Sequence, residues 1–253
     1  SVIVWNGNPQ WELVRTIGNP DDANTLVDRV TAVGFSRNGK LLATGGGEPS
    51  RSGQLKLWDV ETGKLVREIK EPHSDTIFAV EFSPEDDYIA SCGADRFMKV
   101  FKVADGEFVR SYEGHTHHVL GVSWCADGRS LATCGADKVI KIWTFKTGDQ
   151  QRTIGGFSKE LTSIKFVSIG NNVVASCGDN NVHVKRADNG GNIRALGGGK
   201  DFMYSTAVSG DGKTFVGGGQ DSVLRIWNDQ GQSLATFGPQ KVEQAEAESG
   251  GGE

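Results

Sequence analysis

The sequence predicts an all-β fold in which one four-stranded antiparallel sheet is repeated along the chain. The aspartates Asp95, Asp137, Asp179 and Asp221 are spaced 42 residues apart. Two series of mostly bulky residues keep the same step: Phe82, Trp124, Phe166 and Val208, and then Phe101, Trp143, Lys185 and Trp227. A fixed period of this length indicates one supersecondary unit copied along the chain, and hence a repeat architecture.

The clearest unit runs from His115 to Gly155 and contains four short segments of alternating polarity bounded by Gly, Asp or Asn, which is typical of strands. These segments are His118–Trp124, Ser130–Cys134, Val139–Trp143 and Gln151–Ile154. One such sheet is marginally stable alone, so we expect the copies to pack face to face around a common axis.

The same repeat pattern, applied along the whole sequence, predicts five complete units and part of a sixth. The complete units are Arg29–Lys70, Thr76–Glu113, His118–Gly155, Leu161–Gly197 and Met203–Gly238. Val2–Trp5 and Trp11–Ile17 match the third and fourth strands of a further unit, whose first two strands would precede Ser1. We therefore predict a repeat domain at 1–238 with an incomplete first unit, and a disordered acidic, Gly-rich tail at 239–253. The unpaired edge of the incomplete unit favours self-association.

Composition argues against two classes of partner. The net charge is −5, and the tail holds four Glu against Lys241, which leaves the folded part nearly neutral. A nearly neutral domain lacks the basic face expected of a nucleic-acid-binding protein. The sequence has no apolar run of about 18 residues, so we predict no membrane span. Because Ser1 need not be the native start, the missing signal peptide leaves the compartment open.

The repeated residues resemble the WD-repeat (WD40) family of β-propellers. The motifs that carry the resemblance are Leu55–Asp59, Gly114-His115, Ile140–Trp143 and Leu224–Asn228. It implies a β-propeller of five complete four-stranded blades plus the two outer strands of another, acting as a non-catalytic scaffold for protein–protein interaction. In that family a His, a Ser or Thr, an Asp and a Trp are hydrogen-bonded within a blade. The closest set in this sequence is His115, Cys134, Asp137 and Trp143.

Three stretches look like the propeller modules that bacteria fuse to c-type cytochrome domains in exported proteins: Gly46–Gly53, Glu113–Trp124 and Asp201–Tyr204. This second resemblance implies an accessory role in an electron-transfer protein and a periplasmic or exported location. The chain has no C-x-x-C-H haem-attachment motif of its own. A third alternative is an enzyme or small-ligand binder that uses the central pore.

Motifs that suggest chemistry have structural explanations in this pattern. The run His115–His118 has the imidazoles of a metal site, but no carboxylate or thiol ligand is adjacent in sequence. Asp residues repeated in successive units indicate turn capping, since a reaction rarely needs the same acid in each unit. Cys92 and Cys134 are repeat-equivalent, which indicates buried structural thiols. We therefore predict no catalytic, cofactor-binding or metal-binding residues.

In a propeller the loops before each first strand and between the second and third strands gather on one face. We expect the polar and aromatic residues of these loops to form the surface that contacts a protein partner. They are Arg29, Glu48, Arg51, His73, Asp75, Arg96, His117, Lys138, Phe157, Lys159, Asp201, Phe202 and Tyr204.

Overall fold

In a computed structural model, the described part of the chain forms twenty β-strands in five four-stranded sheets. The structure describes residues 13–18, 25–26, 28–167 and 172–239. Each sheet is antiparallel and connects its strands in chain order, so each is one blade of the predicted propeller. Within the described part of the chain, no helix has the length and apolarity needed to cross a lipid bilayer.

The strand boundaries follow the repeat. Blade 1 consists of β1 (Arg29–Phe35), β2 (Leu41–Gly47), β3 (Gly53–Asp59) and β4 (Leu65–His73). Blade 2 consists of β5 (Ile77–Phe82), β6 (Tyr88–Gly93), β7 (Met98–Lys102) and β8 (Phe108–Tyr112). Blade 3 consists of β9 (Val119–Trp124), β10 (Ser130–Gly135), β11 (Ile140–Thr144) and β12 (Gln150–Ile154). Blade 4 consists of β13 (Leu161–Phe166), β14 (Asn172–Cys177), β15 (Val182–Arg186) and β16 (Asn192–Leu196). Blade 5 consists of β17 (Met203–Val208), β18 (Thr214–Gly219), β19 (Leu224–Asn228) and β20 (Ser233–Phe237).

The core lies between blades. Each cluster of buried apolar side chains combines residues of two consecutive blades, as where Leu57 of blade 1 joins the cluster that contains Ile77 and Phe82 of blade 2. The same holds between blades 2 and 3, between 3 and 4, and between 4 and 5. A single sheet therefore buries little by itself, and its stability depends on its neighbours.

The first strand of every blade lines a central channel of about 400 Å³. Each of these strands has a β-bulge at one repeat-equivalent residue, since the register with the second strand skips one position there. The bulged residues are Thr31, Phe78, Leu120, Thr162 and Tyr204, and all of them line the channel. A bulge re-aims a side chain locally, which explains how five different side chains reach the channel wall.

The incomplete first unit is described only in part. Val2–Trp5 and the tail beyond Pro239 lie outside the described residues. The fourth strand predicted at Trp11–Ile17 stays a prediction, because Leu13–Ile17 form no strand with any of the described residues. An outer strand needs a hydrogen-bonded inner neighbour, and the residues predicted to supply it lie outside the described part. The Arg15 side chain nevertheless lies against the turn glycine Gly63.

This placement of Arg15 repeats a contact made by the fourth strands of later blades. Arg67 on β4 donates from its two terminal guanidinium nitrogens to the carbonyl oxygens of Asp105 and Ala104, at 2.9 and 2.6 Å. Both acceptors belong to the turn after the third strand of the next blade. Consecutive blades are thus joined by an arginine of the outer strand, which bonds to the turn between the third and fourth strands of the next blade. This contact adds to the apolar core between the blades.

Candidate interaction face

One side of the propeller, here called the loop face, is formed by the loops before the first strands and the turns between second and third strands. The repeated aspartates hold these two sets of loops together. The backbone N–H of Thr116 donates to Asp137 at 3.0 Å, and that of Lys200 donates to Asp221 at 3.1 Å. Each aspartate thus fixes a loop that enters its blade to a turn within the same blade.

Blade 3 carries a buried chain of hydrogen bonds that ends on Asp137. The Trp143 indole Nε1–H donates to Thr133 Oγ1 at 2.8 Å, and this hydroxyl lies 2.7 Å from His115 Nε2. His115 Nδ1 lies 2.9 Å from Asp137 Oδ2. An indole only donates and a carboxylate only accepts, so with a neutral imidazole the direction is Trp143 to Thr133, Thr133 to His115, and His115 to Asp137.

The predicted membership of Cys134 in this set is wrong. Successive side chains of a strand point to opposite faces of the sheet, so the hydroxyl of Thr133 and the thiol of Cys134 cannot share one network. Cys134 Sγ instead lies 3.5 Å from the carbonyl oxygen of Leu161 in blade 4. Blade 2 has the same arrangement, since Ser91, and not the neighbouring Cys92, bonds to His73.

Blade 2 keeps most of this network without the indole. His73 Nδ1 contacts the Asp95 carboxylate at 2.9 Å, and its Nε2 lies 2.8 Å from Ser91 Oγ. Burial lowers the pKa of His73, against the opposite influence of Asp95. Burial alone would raise the pKa of Asp95, but the His73 hydrogen bond and the Phe97 N–H hold it below the ordinary value. Phe101 stands where blade 3 has Trp143.

Blade 4 replaces the network with an aromatic contact. Phe157 stands where blades 2 and 3 have histidine, and Lys185 stands where blade 3 has tryptophan. The Lys185 ammonium lies 4.5 Å from the centroid of the Phe157 ring, which is a cation–π distance. Phe157 also packs edge-on against His183, with ring centroids 5.4 Å apart. Burial lowers the pKa of Lys185.

The structure separates the predicted contact residues into three groups by exposure. Eight are exposed: Arg29, Arg51, Arg96, His117, Lys138, Lys159, Asp201 and Tyr204. Glu48, Asp75 and Phe202 are half-buried. His73 and Phe157 are buried, so their prediction as partner-contacting residues is wrong. Their repeat position faces into the blade, where it serves the hydrogen-bond network or the aromatic contact that replaces it.

Two exposed cations of the loop face stand on a fixed backbone. Arg96 and Lys138 follow the repeated aspartates and adopt φ angles of 73° and 63°. Left-handed backbone is uncommon for residues other than glycine, so the surrounding turn determines it. The turn around Asp95 and Asp137 therefore sets the direction in which these two side chains leave the surface.

A groove of about 920 Å³ lies beside the connection between β2 and β3 of blade 1, which is longer than in the other blades and is here called the insertion. It is lined by Arg51–Gln54 and by the segment Glu68–Ser74, together with Lys99. Asp75 fixes the insertion, since it accepts the Ser50 N–H at 2.7 Å. Arg51 and Glu48 form a salt bridge of 3.0 Å at the rim. Exposed pairs of this kind contribute little to stability, so both remain available to a ligand.

Sequence reasoning missed the bulged residues of the channel wall other than Tyr204. Phe78, Leu120 and Thr162 precede Tyr204 at the same 42-residue step. Their signal was therefore present in the repeat, but a bulge is a departure from the alternation used to assign strand faces.

Comparison with known proteins identifies the repeat. The family model described as "WD domain, G-beta repeat" matches residues 12–59, 63–102, 106–144 and 190–228. These matches cover more than half of the chain and include blades 1 and 2 and the first three strands of blades 3 and 5. They leave most of blade 4 unmatched, which agrees with its loss of the histidine and the tryptophan.

Curated proteins resemble parts of the chain. It is 38% identical over 95 residues to the U4/U6 small nuclear ribonucleoprotein PRP4-like protein of Arabidopsis thaliana, which is 37% of this chain and 16% of that protein. It is 30% identical over 110 residues to the nuclear distribution protein PAC1 of Coccidioides posadasii, or 43% of this chain and 22% of that protein. It is 35% identical over 78 residues to Striatin-3 of Rattus norvegicus, or 30% of this chain and 9% of that protein. The aligned stretch thus spans less than a quarter of each relative.

Proposed function

Since the chain belongs to the WD-repeat family of β-propellers, we propose that it is a non-catalytic scaffold that binds a protein partner through its loop face. The observation that carries this proposal is the fixed geometry of that face. Asp137 and Asp221 tie incoming loops to the blade turns, and the turns hold Arg96 and Lys138 in defined directions. A surface that is already ordered loses little conformational entropy on binding.

The chemistry of the loop face also suits a protein partner. Exposed arginine, lysine and tyrosine stand around a channel mouth that is partly apolar, with Phe78 and Leu120 in its wall. Aromatic and arginine side chains are enriched at protein interfaces. The relatives support this class of function, since one bears the name of a ribonucleoprotein.

The proposal is tested by reversing charge on the loop face and measuring which proteins the immobilised chain captures from cells of its source. The test variant is Arg96→Glu/Lys138→Glu/Lys159→Glu, because all three side chains are exposed on that face. We expect the specifically captured proteins to be depleted at least about tenfold, which corresponds to about 1.4 kcal/mol of binding free energy.

A matched control reverses three exposed cations in the turns of the opposite side, Lys40→Glu/Arg129→Glu/Lys146→Glu. It carries the same change in net charge, so it removes any effect of total charge on capture. Depletion by the control and not by the loop-face variant would move the binding surface to the opposite side. Equal retention by both variants would contradict a role for the loop face.

Two other functions lead to different results. An accessory propeller of a larger c-type cytochrome protein, in bacteria and in the periplasm or outside the cell, requires a haem-attachment motif elsewhere in the same gene. The three relatives described above are eukaryotic proteins, and their names mention no cytochrome. A small-ligand binder or enzyme at the central pore would show a ligand-dependent rise in melting temperature, which substitution of Tyr204 or Lys165 on the channel wall would abolish.

A further inference from the structure

Blade 4 departs from the repeat at two positions that face the same aspartate. The first is the second-strand residue that pairs with the residue just before the first-strand bulge, and in blade 4 it stands two residues before Asp179. The other blades have glycine there, and blade 4 has a cysteine: Gly46, Gly93, Gly135, Cys177 and Gly219. The second is the third-strand residue paired with the middle of the fourth strand. The other blades have a cation there, and blade 4 has a histidine: Lys56, Lys99, Lys141, His183 and Arg225.

The cation at the second position forms an ion pair with the repeated aspartate in blades 2 and 5. Lys99 Nζ lies 3.9 Å from Asp95, and the Arg225 guanidinium lies 2.6 Å from Asp221. A permanent cation so close to the carboxylate excludes a metal ion by charge repulsion. His183 in blade 4 has an imidazole at this position, which is neutral when it acts as a metal ligand. Blade 4 thus has a possible metal ligand, His183, where other blades have a cation that would repel a metal ion.

Glycine at the first position allows close approach of the backbone. A Cβ on Gly93 would lie 2.5 Å from the carbonyl oxygen of Thr76, and one on Gly135 would lie 2.4 Å from that of His118. Blade 4 accommodates the Cβ of Cys177 at the same place, where Gly178 N–H donates to Glu160 at 3.1 Å. The cysteine therefore breaks a packing rule that the other four blades keep. Departures of this kind concentrate at functional positions.

The three side chains converge. Cys177 Sγ, an Asp179 carboxylate oxygen and a ring nitrogen of His183 all lie within 4.8 Å of one another. His183 Nε2 is 3.2 Å from both oxygens of Asp179. The side chains of Asp179 and His183 are 23% and 19% exposed, while Cys177 is fully buried. The cluster is therefore closed on the thiol side and open to solvent on the other.

The surroundings hold the three side chains in place. Ser158 Oγ donates to Asp179 Oδ2 at 3.1 Å, and the ring of Phe157 packs against His183. The Phe202 ring lies directly against Gly178, next to Cys177. An apolar shell and a hydrogen-bonded carboxylate are what a metal site needs around its ligands.

We propose that Cys177, Asp179 and His183 bind a divalent ion of the zinc class, with a water molecule in the fourth position. One thiolate, one carboxylate and one imidazole are zinc ligands, and a thiolate disfavours magnesium and calcium. On binding, the thiol releases its proton to solvent, so the ligands carry two negative charges that balance the ion. Zinc ligands lie about 2.0–2.3 Å from the metal. The three ligand atoms lie within 4.8 Å of one another, so small side-chain rotations bring all of them to that distance from one ion.

The probe is Co²⁺ alone, titrated into the intact, reduced chain and followed by absorption spectroscopy. Cobalt replaces zinc in such sites, and a thiolate ligand gives a ligand-to-metal charge-transfer band. We expect this band to saturate at one cobalt per chain and to disappear when Zn²⁺ is added. Direct titration with Zn²⁺ in a calorimeter gives the same stoichiometry. Saturation without a thiolate band, or no saturable binding, would overturn the proposal.

The most informative variants restore the residues of the other blades. Cys177→Gly and His183→Lys each introduce what the repeat has elsewhere, so neither introduces a residue foreign to a WD blade. Each should weaken cobalt binding by more than about 100-fold, which exceeds the 10–100-fold effect of outer-shell changes. Circular dichroism of both variants checks the fold. Binding that survives Cys177→Gly in a folded protein would assign the ion to other residues and contradict this site.

His117 and His118 provide the matched control, because their rings are 4.5 Å apart and could bind cobalt through nitrogen alone. The variant His117→Ala/His118→Ala should leave the charge-transfer band unchanged. Cys134→Ser controls for a second buried thiol beside a repeated aspartate. Loss of the band in either control, with Cys177 and His183 intact, would contradict the proposal.

Discussion

Blades 1 and 3 are copies of one repeat, but equivalent side chains are more deeply buried and more fully hydrogen-bonded in blade 3. The first-strand residue Trp124 of blade 3 is 2% exposed, whereas its equivalent in blade 1, Phe35, is 64% exposed. Thr133 joins a four-residue network, whereas its equivalent Thr44 bonds only to Trp58 among the contacts described. Blade 3 packs against a blade on each side, and blade 1 has one described neighbour. Position in the array, as much as sequence, therefore determines how much each blade contributes to stability.

The largest test of this difference removes the equivalent aromatic side chains. Trp124→Ala should lower the free energy of unfolding by about 3–5 kcal/mol, because it deletes a buried indole that packs on Phe145. Trp143→Ala, which also removes the indole donor to Thr133, should cost the same or more. Phe35→Ala should cost less than about 0.5 kcal/mol. Denaturant unfolding gives all three values, and equal losses for Trp124 and Phe35 would remove the distinction.

A smaller difference comes from the hydroxyls. Thr133→Val keeps the shape of the side chain but leaves Trp143 Nε1 and His115 Nε2 without their partner, at a cost of about 2–4 kcal/mol. Thr44→Val leaves only the Trp58 indole unpaired, so we expect about 1–2 kcal/mol. A double-mutant cycle of Thr133→Val with His115→Phe measures the coupling. Additive effects of the two changes on the free energy of unfolding would show that Thr133 and His115 are not energetically coupled.

Acid should weaken blade 2 through His73. Its pKa lies below the ordinary 6.5 in the folded chain, so below that pH the unfolded chain binds a proton that the folded chain does not. Stability is therefore fully present above pH 6.5 and is lost as the pH falls toward the folded pKa. His73→Phe, which introduces the residue that blade 4 has there, should reduce this slope. Chemical unfolding at several pH values measures it.

The control for this pH dependence is His117→Ala, which removes an exposed histidine outside the blade 2 network. A further loss is expected below pH 3.8, where the unfolded chain protonates Asp95, Asp137 and Asp221 before the folded chain does. The Arg225 hydrogen bond lowers the pKa of Asp221 to about 2, so its contribution persists furthest into acid. An unchanged slope in His73→Phe would show that His73 does not titrate as described.

Substitutions of exposed apolar residues on blades 1 and 5 should change the free energy of unfolding least but should clearly reduce self-association of the chain. Val33 and Phe35 of blade 1 and Leu234 and Phe237 of blade 5 are all more than half exposed. Exposed apolar surface on sheets favours pairing with a second molecule, so we expect the isolated chain to dimerise or aggregate. Phe35→Ser/Phe237→Ser should shift sedimentation toward the monomer with little effect on unfolding. A wild-type chain that sediments as a stable monomer would contradict this expectation.

The period predicted the architecture because a ring of equivalent sheets constrains every copy in the same way. It located the five blades and placed Asp95, Asp137, Asp179 and Asp221 in equivalent turns. It failed where a shift of one residue changes the face of a strand: Cys134 was predicted in the hydrogen-bond network, and its neighbour Thr133 occupies that place. It also failed at His73 and Phe157, where a loop residue turns inward. The cluster around Asp179 was missed because Cys177 and His183 appear related only when the blades are aligned strand by strand.

The central claim is that stability along the array is graded from the inner blades to blade 1. The hydrogen-exchange rates of the tryptophan indoles, measured by NMR, test it directly, because Trp58 and Trp143 donate to equivalent threonines with equal distances of 2.8 Å. We predict that the Trp143 indole exchanges only through global unfolding, while the Trp58 indole exchanges faster through local opening of blade 1. Equal protection of the two indoles would contradict the claim.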